Sequence, residues 1–451
     1  MKTTERIQDM TTGKPLRLIL AFALPLMIGN IFQQLYTIVD TAIVGKFVGN
    51  HALAALGSAD WLNWFAIGIV QGFAQGFSIL MSQYFGQKDY KKLNRAIGAS
   101  ITLSAILSVL SVIFCQALAE PVLLLLKTKT EVISDSLVYL RIMFAGLPVT
   151  MGYNLLSSIL RSMGDSKTPL YAIVVAAFTN VALDLLFVLV FHWGISGAAI
   201  ATVLAQILSV VYCFLSLRRI SILSLTKKDL ILDRDMYKQL LLLGTPVALQ
   251  NAIIGIGGMV VQSVVNIYDV LFVAGFTATN KLYGLLEIAA TSYGYAITSY
   301  VGQNLGGGKI SRIRKGMHSA FFIALFTSIA IGGSMLLLGR QLLSIFISGT
   351  PDEVTAVLNV AYHYLTIMSL CLPILYMLHI YRSALMGLGN TAIPMISGFA
   401  EMVLRMLIAI VLPMYIGQAG IYYAEVAAWS AAAVILVISY YIQMRRYPLE
   451  E

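Results

Sequence analysis

The sequence predicts an all-α integral membrane protein, with twelve transmembrane helices in two pseudo-symmetric six-helix bundles around a central cleft. Three observations predict it. Of the 451 residues 59% are hydrophobic and 11% are charged, against roughly 25% charge in soluble domains. The apolar residues gather into twelve runs, each near the about 20 residues that cross a bilayer. The two halves of the chain also repeat the same punctuation at fixed spacing.

The runs fall at 16–44, 52–82, 94–118, 136–160, 168–191, 195–217, 238–266, 271–300, 315–338, 357–384, 392–415 and 419–443. Basic residues Lys2, Arg6, Lys14 and Arg17 start the chain. The apolar stretch behind them outruns a short signal core and meets no small-residue cleavage site, so it is the first span. Basic clusters then fall on one side: Lys88/Lys91/Lys92/Arg95, Arg161/Lys167, Arg218/Arg219/Lys227/Lys228/Arg234/Lys238, Lys309/Arg312/Arg314/Lys315 and Arg445/Arg446. The opposite loops keep Lys46, Lys127, Lys129 and Arg340. By the positive-inside rule both termini are cytoplasmic. The net charge of +9 is thereby a membrane-flanking rim, and no nucleic-acid partner is expected. Cys115, Cys213 and Cys371 stand singly in apolar stretches without metal-ligand spacing, which makes them packing residues.

The longest polar interruption, Arg218 to Tyr237, divides the chain into an N-terminal lobe (1–217), a cytoplasmic linker (218–237) and a C-terminal lobe (238–451). GTPVALQN around Pro246 repeats ALPLMIGN around Pro25, and YVGQ at 300–303 repeats YFGQ at 84–87. Tyr139-Leu-Arg-Ile-Met-Phe-Ala-Gly-Leu-Pro148 matches Tyr364-Leu-Thr-Ile-Met-Ser-Leu-Cys-Leu-Pro373 at an offset of 225, which also pairs Gly164 with Gly389 and Pro169 with Pro394. Internal repeats of this kind mark transporters. With six helices per repeat the pseudo-twofold axis runs along the membrane normal. Rocking of two such lobes about a cleft gives alternating access.

Candidate site residues concentrate in the first half. Asp40 sits near the far end of a span that Pro25 interrupts, and a carboxylate in hydrocarbon costs roughly 2.5–3.5 kcal/mol on insertion scales. Tyr36 lies one turn before it. Asn180 and Asp184 share a helix face by their i, i+4 spacing. Helices 1 and 5 run outward while 2 and 6 run inward, so Asp40, Asp60, Asn180, Asp184 and Thr202 reach one depth. Two nearby carboxylates in a poorly hydrated place share a proton or a cation. A proton would let the first helix bend at Pro25, the hinge, where the hydrogen-bond ladder is broken. Na⁺ would find hard oxygen ligands on Asp184, Asn180 and Thr202.

The second half differs. Asn180 maps to Arg405 at the same offset, and Glu401 with Arg405 forms an i, i+4 pair that reads as a structural ion pair. Lys281 and Glu287, six apart, need separate partners. Glu287, and more weakly Glu425, are candidates to hold a cationic substrate. Of the 19 methionines, Met27, Met151, Met259, Met377 and Met402 are assigned with Glu287 to the substrate cleft, beside Met368, because thioether side chains adapt to varied ligands. Trp61, Trp64, Trp193 and Tyr447 read as interfacial anchors. Gly68, Gly72 and Gly76 form a small-residue face for close helix approach. Gly306-Gly-Gly-Lys309-Ile310 lacks the first Gly and the final Ser/Thr of a phosphate loop, so no nucleotide engine is expected.

These landmarks resemble the multidrug and toxic compound extrusion (MATE) family: IVDTAIVGKFVG in the first helix, SQYFGQKD, RSMGDSKTP, and two six-helix bundles. The resemblance implies a transporter and no enzyme, exporting amphipathic, often cationic organic compounds against H⁺ or Na⁺. The NorM-type branch places essential carboxylates in helices 7 and 10, where this chain has none. It is closer to the DinF-type branch, whose first-lobe cluster implies cation-coupling roles for Asp40, Tyr36, Asp184, Asn180, Asn154, Tyr139 and Thr202. The expected setting is a multi-pass monomer in the cell membrane. It contacts lipids and a small organic substrate, and needs no cofactor beyond the coupling ion. The competing reading is a flippase for a lipid-linked saccharide, which would line its cleft with several cations. Arg141, Lys281 and Arg405 are the in-span basic residues noted against it.

Overall fold

The computed structural model describes residues 7–125, 128, 130–230, 233–347 and 350–447. The expectations on Lys2, Arg6, Lys127 and Lys129 lie outside the described residues. Apolar runs this long become helices because a helix satisfies every backbone N–H and C=O within the segment, which hydrocarbon cannot do. Among the described residues the structure is helical with no strand.

The helices are α1 (Pro15–Phe47), α2 (Asn50–Gly86), α3 (Tyr90–Leu125), α4 (Thr130–Ala145), α5 (Leu147–Ser162), α6 (Lys167–Asp184), α7 (Gly194–Leu217), α8 (Arg234–Val265), α9 (Val270–Gly306), α10 (Ile310–Ser344), α11 (Pro351–Leu370), α12 (Leu372–Gly387), α13 (Ala392–Val411), α14 (Pro413–Ile416) and α15 (Tyr422–Met444). Among the described residues, eight helical segments are long and apolar enough to cross a membrane, and two bent pairs bring the number to ten. One of the eight, Ala392–Met444, contains both α13 and α15, and α9 is not among them. Taking α13 and α15 separately and adding α9 gives the twelve expected passes. Phe178, Phe326, Leu337 and Val434 expose apolar side chains, as lipid contact requires.

The spans expected at 136–160 and 357–384 are not single rods. The first is α4 and α5, bent by 46° at Gly146; the second is α11 and α12, bent by 50° at Cys371. In each case a proline, Pro148 or Pro373, stands at the start of the second segment, where its missing N–H costs nothing. The breaks are 225 residues apart, as the sequence repeat requires. The following turns match too. Gly164 at φ 86° and Gly389 at φ 81° both occupy the left-handed region, which glycine enters without steric cost. Asp165 Oδ1 then accepts from Thr168 N at 2.9 Å, and Asn390 Oδ1 from Ile393 N at 3.2 Å.

The chain forms two compact units. The first comprises the described part of Met1–Thr12, Leu24–Ala252 and Gly302–Gly308; the second comprises Gly13–Ala23, Ile253–Val301 and the described part of Lys309–Glu451. In the first unit α2 packs on the start of α8 through its glycine face. A methyl group on Gly72 would stand 2.5 Å from the Ala248 Cα, and one on Gly76 would meet the Gly244 Cα. Asn251 Nδ2 donates to the Gly68 carbonyl at 2.9 Å. The N-terminal segment is fastened in the same unit. Met10 N donates to Gln303 Oε1 at 2.8 Å, Asn304 Nδ2 to the Met10 carbonyl at 3.1 Å, and Gln303 Nε2 to the Ser162 carbonyl at 2.9 Å. In the second unit Phe276 stacks on Tyr364 at 4.7 Å, and Tyr364 on Tyr422 at 5.4 Å.

Candidate functional site

The first unit gathers the expected cluster. α6 ends at Asp184, and the chain continues as one π-helical turn, Leu185–Val190, a local widening often found at functional sites. Asp184 is fully buried, Asn180 is 1% exposed and Asp40 on α1 is 9% exposed. The Asp40 and Asp184 carboxyls are near enough to act on each other electrostatically. Asn180 Nδ2 donates to Thr202 Oγ1 on α7 at 3.3 Å, and Thr202 Oγ1 donates to the Ala198 carbonyl at 3.1 Å. With the amide nitrogen turned to Thr202, the Asn180 oxygen is left unengaged. Asn180 Oδ1, Asp40 Oδ1 and both Asp184 oxygens are buried and receive no hydrogen bond from an amide, hydroxyl or cationic side chain.

Tyr36 on α1 and Tyr139 on α4 feel the charges of both acids. Asp60 on α2 is exposed, and its charge reaches Asp40 and Tyr139. Asn154 stands apart from the acids in its bonding, since its Nδ2 donates to Thr150 of its own helix at 2.9 Å. α1 stays helical through Pro25. An arrangement of buried, unengaged oxygens can hold one of two things, a proton between two carboxyls or a hard cation among oxygen ligands. Asn180 Oδ1 and the Asp184 carboxylate fit the second as well as the first.

The second unit arranges its charges as a ladder. Glu401 accepts from Arg382 at 2.6 Å and from Arg405 at 3.3 Å, while Arg405 also reaches Glu425 at 2.9 Å. The Glu401–Arg405 pair is the one expected. Arg382 is a correction: it lies inside the tenth span beside Arg141, Lys281 and Arg405, and it is buried. Glu287 meets His379 Nε2 at 3.2 Å, and Lys281 Nζ stands 5.9 Å from the Phe346 ring, so these two residues do have separate partners. The repeat could have found both missed groups, since Asn154 maps to His379 and Ser157 to Arg382 at the offset of 225.

Of the cleft candidates, Met151 is 2% exposed and packs in the apolar core of the first unit with Met143 and Leu147. Packing holds it there, not a ligand surface. Met27, Met259, Met377 and Met402 are half-buried, and Met402 Cγ lies 3.2 Å from where a Cβ on Gly257 would stand.

A family model described as MatE matches residues 25–186 and 246–411, the two repeats found above. The chain belongs to the MatE family. Two proteins of Bacillus subtilis (strain 168) are similar to it. The probable multidrug resistance protein YpnP is 32% identical over 351 residues, 77% of each chain, and the probable multidrug resistance protein YoeA is 28% identical over 339 residues, 72% of each. A solved structure described as the outward-facing conformation of a multidrug resistance MATE family transporter of the MOP superfamily covers 100% of both chains at a TM-score of 0.92 and 22% identity, which is a likeness of fold. This MatE protein is thus a multi-pass membrane protein of a transporter family; Asp40 and Asp184 lie on the first matched segment, and Arg382, Glu401 and Arg405 on the second.

Proposed function

We propose that this MatE protein is a secondary-active exporter that exchanges amphipathic or cationic organic compounds for H⁺ or Na⁺ by alternating access, with both termini in the cytoplasm. The observation that carries this reading is the buried Asp40–Asp184 pair. Neither acid belongs to any ion pair among the described residues, so its charge is balanced by something that arrives. A proton shared by the two carboxyls removes their repulsion. Na⁺ held by Asp184, Asn180 Oδ1 and Thr202 does the same with oxygen ligands. Either event changes the charge between α1 and α6. Pro25 lacks an N–H and weakens the α1 hydrogen-bond ladder at that point, so α1 can answer by bending there.

The names of YpnP and YoeA as probable multidrug resistance proteins support organic cargo. The first-unit acids, with none on α8 past Asp235 and none on α12, support the DinF-type pattern. Phosphate-bearing lipid cargo fits less well, because Arg382 and Arg405 are already matched to Glu401 and Glu425. Purified protein in liposomes, given Na⁺ and pH gradients separately, tests the proposal. We expect one gradient to drive uphill movement of a cationic dye. Failure of both overturns antiport.

A further inference from the structure

We propose that the segment ahead of α1 is a releasable strap: residues 7–12 occupy a seat made by the α5–α6 turn and the end of α9, and leave it when the chain opens toward the cytoplasm. The inference rests on the alternating access proposed above, and every contact it uses lies inside the first unit.

The seat joins parts of both sequence repeats. The α5–α6 turn, residues 163–166, belongs to the first, and Gly302–Gly308 at the end of α9 belongs to the second. At this end α9 meets α2 backbone to backbone: a Cβ on Gly86 would run into the Gln303 carbonyl, and one on Gly306 into the Gln83 carbonyl. The strap lies across the joint. On the first-repeat side the Gln8 backbone rests on Gly164, where a Cβ would collide with the Gln8 carbonyl. Gly164 is therefore required twice, for its φ of 86° and for the room it leaves. Ile7 packs on the apolar core that holds Met163 and Ile220. On the second-repeat side Met10 N donates to Gln303 Oε1, and Asn304 Nδ2 donates to the Met10 carbonyl. Gln303 Nε2 is committed to the Ser162 carbonyl. A glutamine amide accepts and donates at once, and here it ties strap, turn and helix into one network.

Met10, Gln303 and Asn304 are fully buried, and Thr11 is nearly so. Asp9 Oδ1 accepts from Thr11 N at 2.8 Å, a local turn of the kind aspartate favours, and it sets the strap's path around Met10. With the strap gone, the buried Gln303 oxygen loses the Met10 donor, and a buried carbonyl left unpaired is costly. The strap therefore favours the closed joint. Conversely, the end of α9 cannot part from the α5–α6 turn while one backbone segment is bonded to the helix and seated on the turn. Release of the strap and separation of the repeats at this end are one event. Lys88, Lys91, Lys92 and Lys309 flank this end, the cytoplasmic one in the orientation proposed above. Short terminal segments open at the low end of a protein's stability range, from which moving parts are drawn.

The test uses the full chain carrying Cys115→Ala, Cys213→Ala and Cys371→Ala. Thr11→Cys/Gly307→Cys tethers the strap, because a Cβ on Gly307 would stand 3.5 Å from the Thr11 Cγ2; diamide oxidises the paired thiols to a disulfide. In vesicles under the gradient that drives export, the oxidised form should export ethidium about tenfold more slowly, and a reductant should restore the rate. Undiminished export with the strap tethered overturns the proposal while leaving antiport standing. Failure of the disulfide to form overturns the seat. Met10→Cys, made separately, is read with an impermeant maleimide on the cytoplasmic side. Its labelling should quicken about tenfold while ethidium is being exported, and Gln303→Leu should give a similar rise at rest. Labelling that stays slow in either case overturns the strap, even where the tethered variant is misfolded. A wild-type chain that exports no ethidium under either gradient overturns antiport, and this gating role with it.

Discussion

α6 and α13 occupy equivalent places in the two repeats, and they treat buried charge in opposite ways. At the offset of 225, Ala176, Asn180 and Asp184 on α6 correspond to Glu401, Arg405 and Ala409 on α13. α13 carries its cation and its acid one turn apart, with further partners from α12 and α15. α6 carries an acid whose oxygens have no hydrogen-bond partner among the described residues and which feels the charge of another acid, Asp40. A charge matched by fixed partners cannot respond to a gradient, whereas one matched only by an arriving ion must. On the function proposed above, one scaffold therefore carries a permanent strut on α13 and a responsive site on α6.

The largest effect should come from erasing the responsive half. Asp184→Asn keeps the shape of the side chain but removes the charge that an ion would balance. Gradient-driven dye export should fall by about two orders of magnitude, equivalent to about 3 kcal/mol. Thermal stability should hold or rise, because an unmatched buried acid is expensive to keep. Export measured in vesicles beside a melting curve separates the two. Retained export with a lowered melting point would make Asp184 a structural group and dissolve the contrast with α13.

The ladder should behave in the reverse manner. Glu401→Gln strips Arg382 of its 2.6 Å partner and should cost about 3–5 kcal/mol of stability. Replacing Arg382 and Glu401 together by methionine should restore most of that, since a buried pair swapped for apolar groups of similar size is often close to neutral. Thermal unfolding of the single and double variants decides it. A single variant as stable as wild type would mean that the ladder carries no load.

Much of this was legible in the sequence because it is periodic or expensive. Apolar runs of membrane length announce helices. The offset of 225 predicts matching breaks and turns, and Gly164 and Gly389 do share the left-handed backbone. Asp40 and Asp184 stand out because charge in an apolar span is costly. What stayed hidden depends on contacts between residues far apart in the chain. Arg382 reads as an isolated cation until Glu401, 19 residues away on another helix, is seen against it. Gln303 reads as half of a repeated YVGQ until it is found holding Met10. Pro148 and Pro373 mark a helix start but not its angle, because proline at that position is compatible with a straight or a bent entry.

A smaller effect sharpens the comparison from the packing side. The glycine stripe of α2 lies in the unit with the responsive acids, and its three members differ in what a side chain would meet. A Cβ on Gly68 would sit 3.5 Å from the Asn251 Cβ, an ordinary contact, whereas one on Gly76 would press on the Gly244 backbone itself. Backbone cannot swing aside as a side chain can. Gly68→Ala should therefore be nearly silent, and Gly76→Val should cost about 1–3 kcal/mol through overpacking. Because neither touches an ion ligand, export per folded molecule should stay level in both, with only the melting point falling in Gly76→Val. Export that drops while the melting point holds would show that the α2–α8 contact belongs to the moving parts and is more than a passive seam.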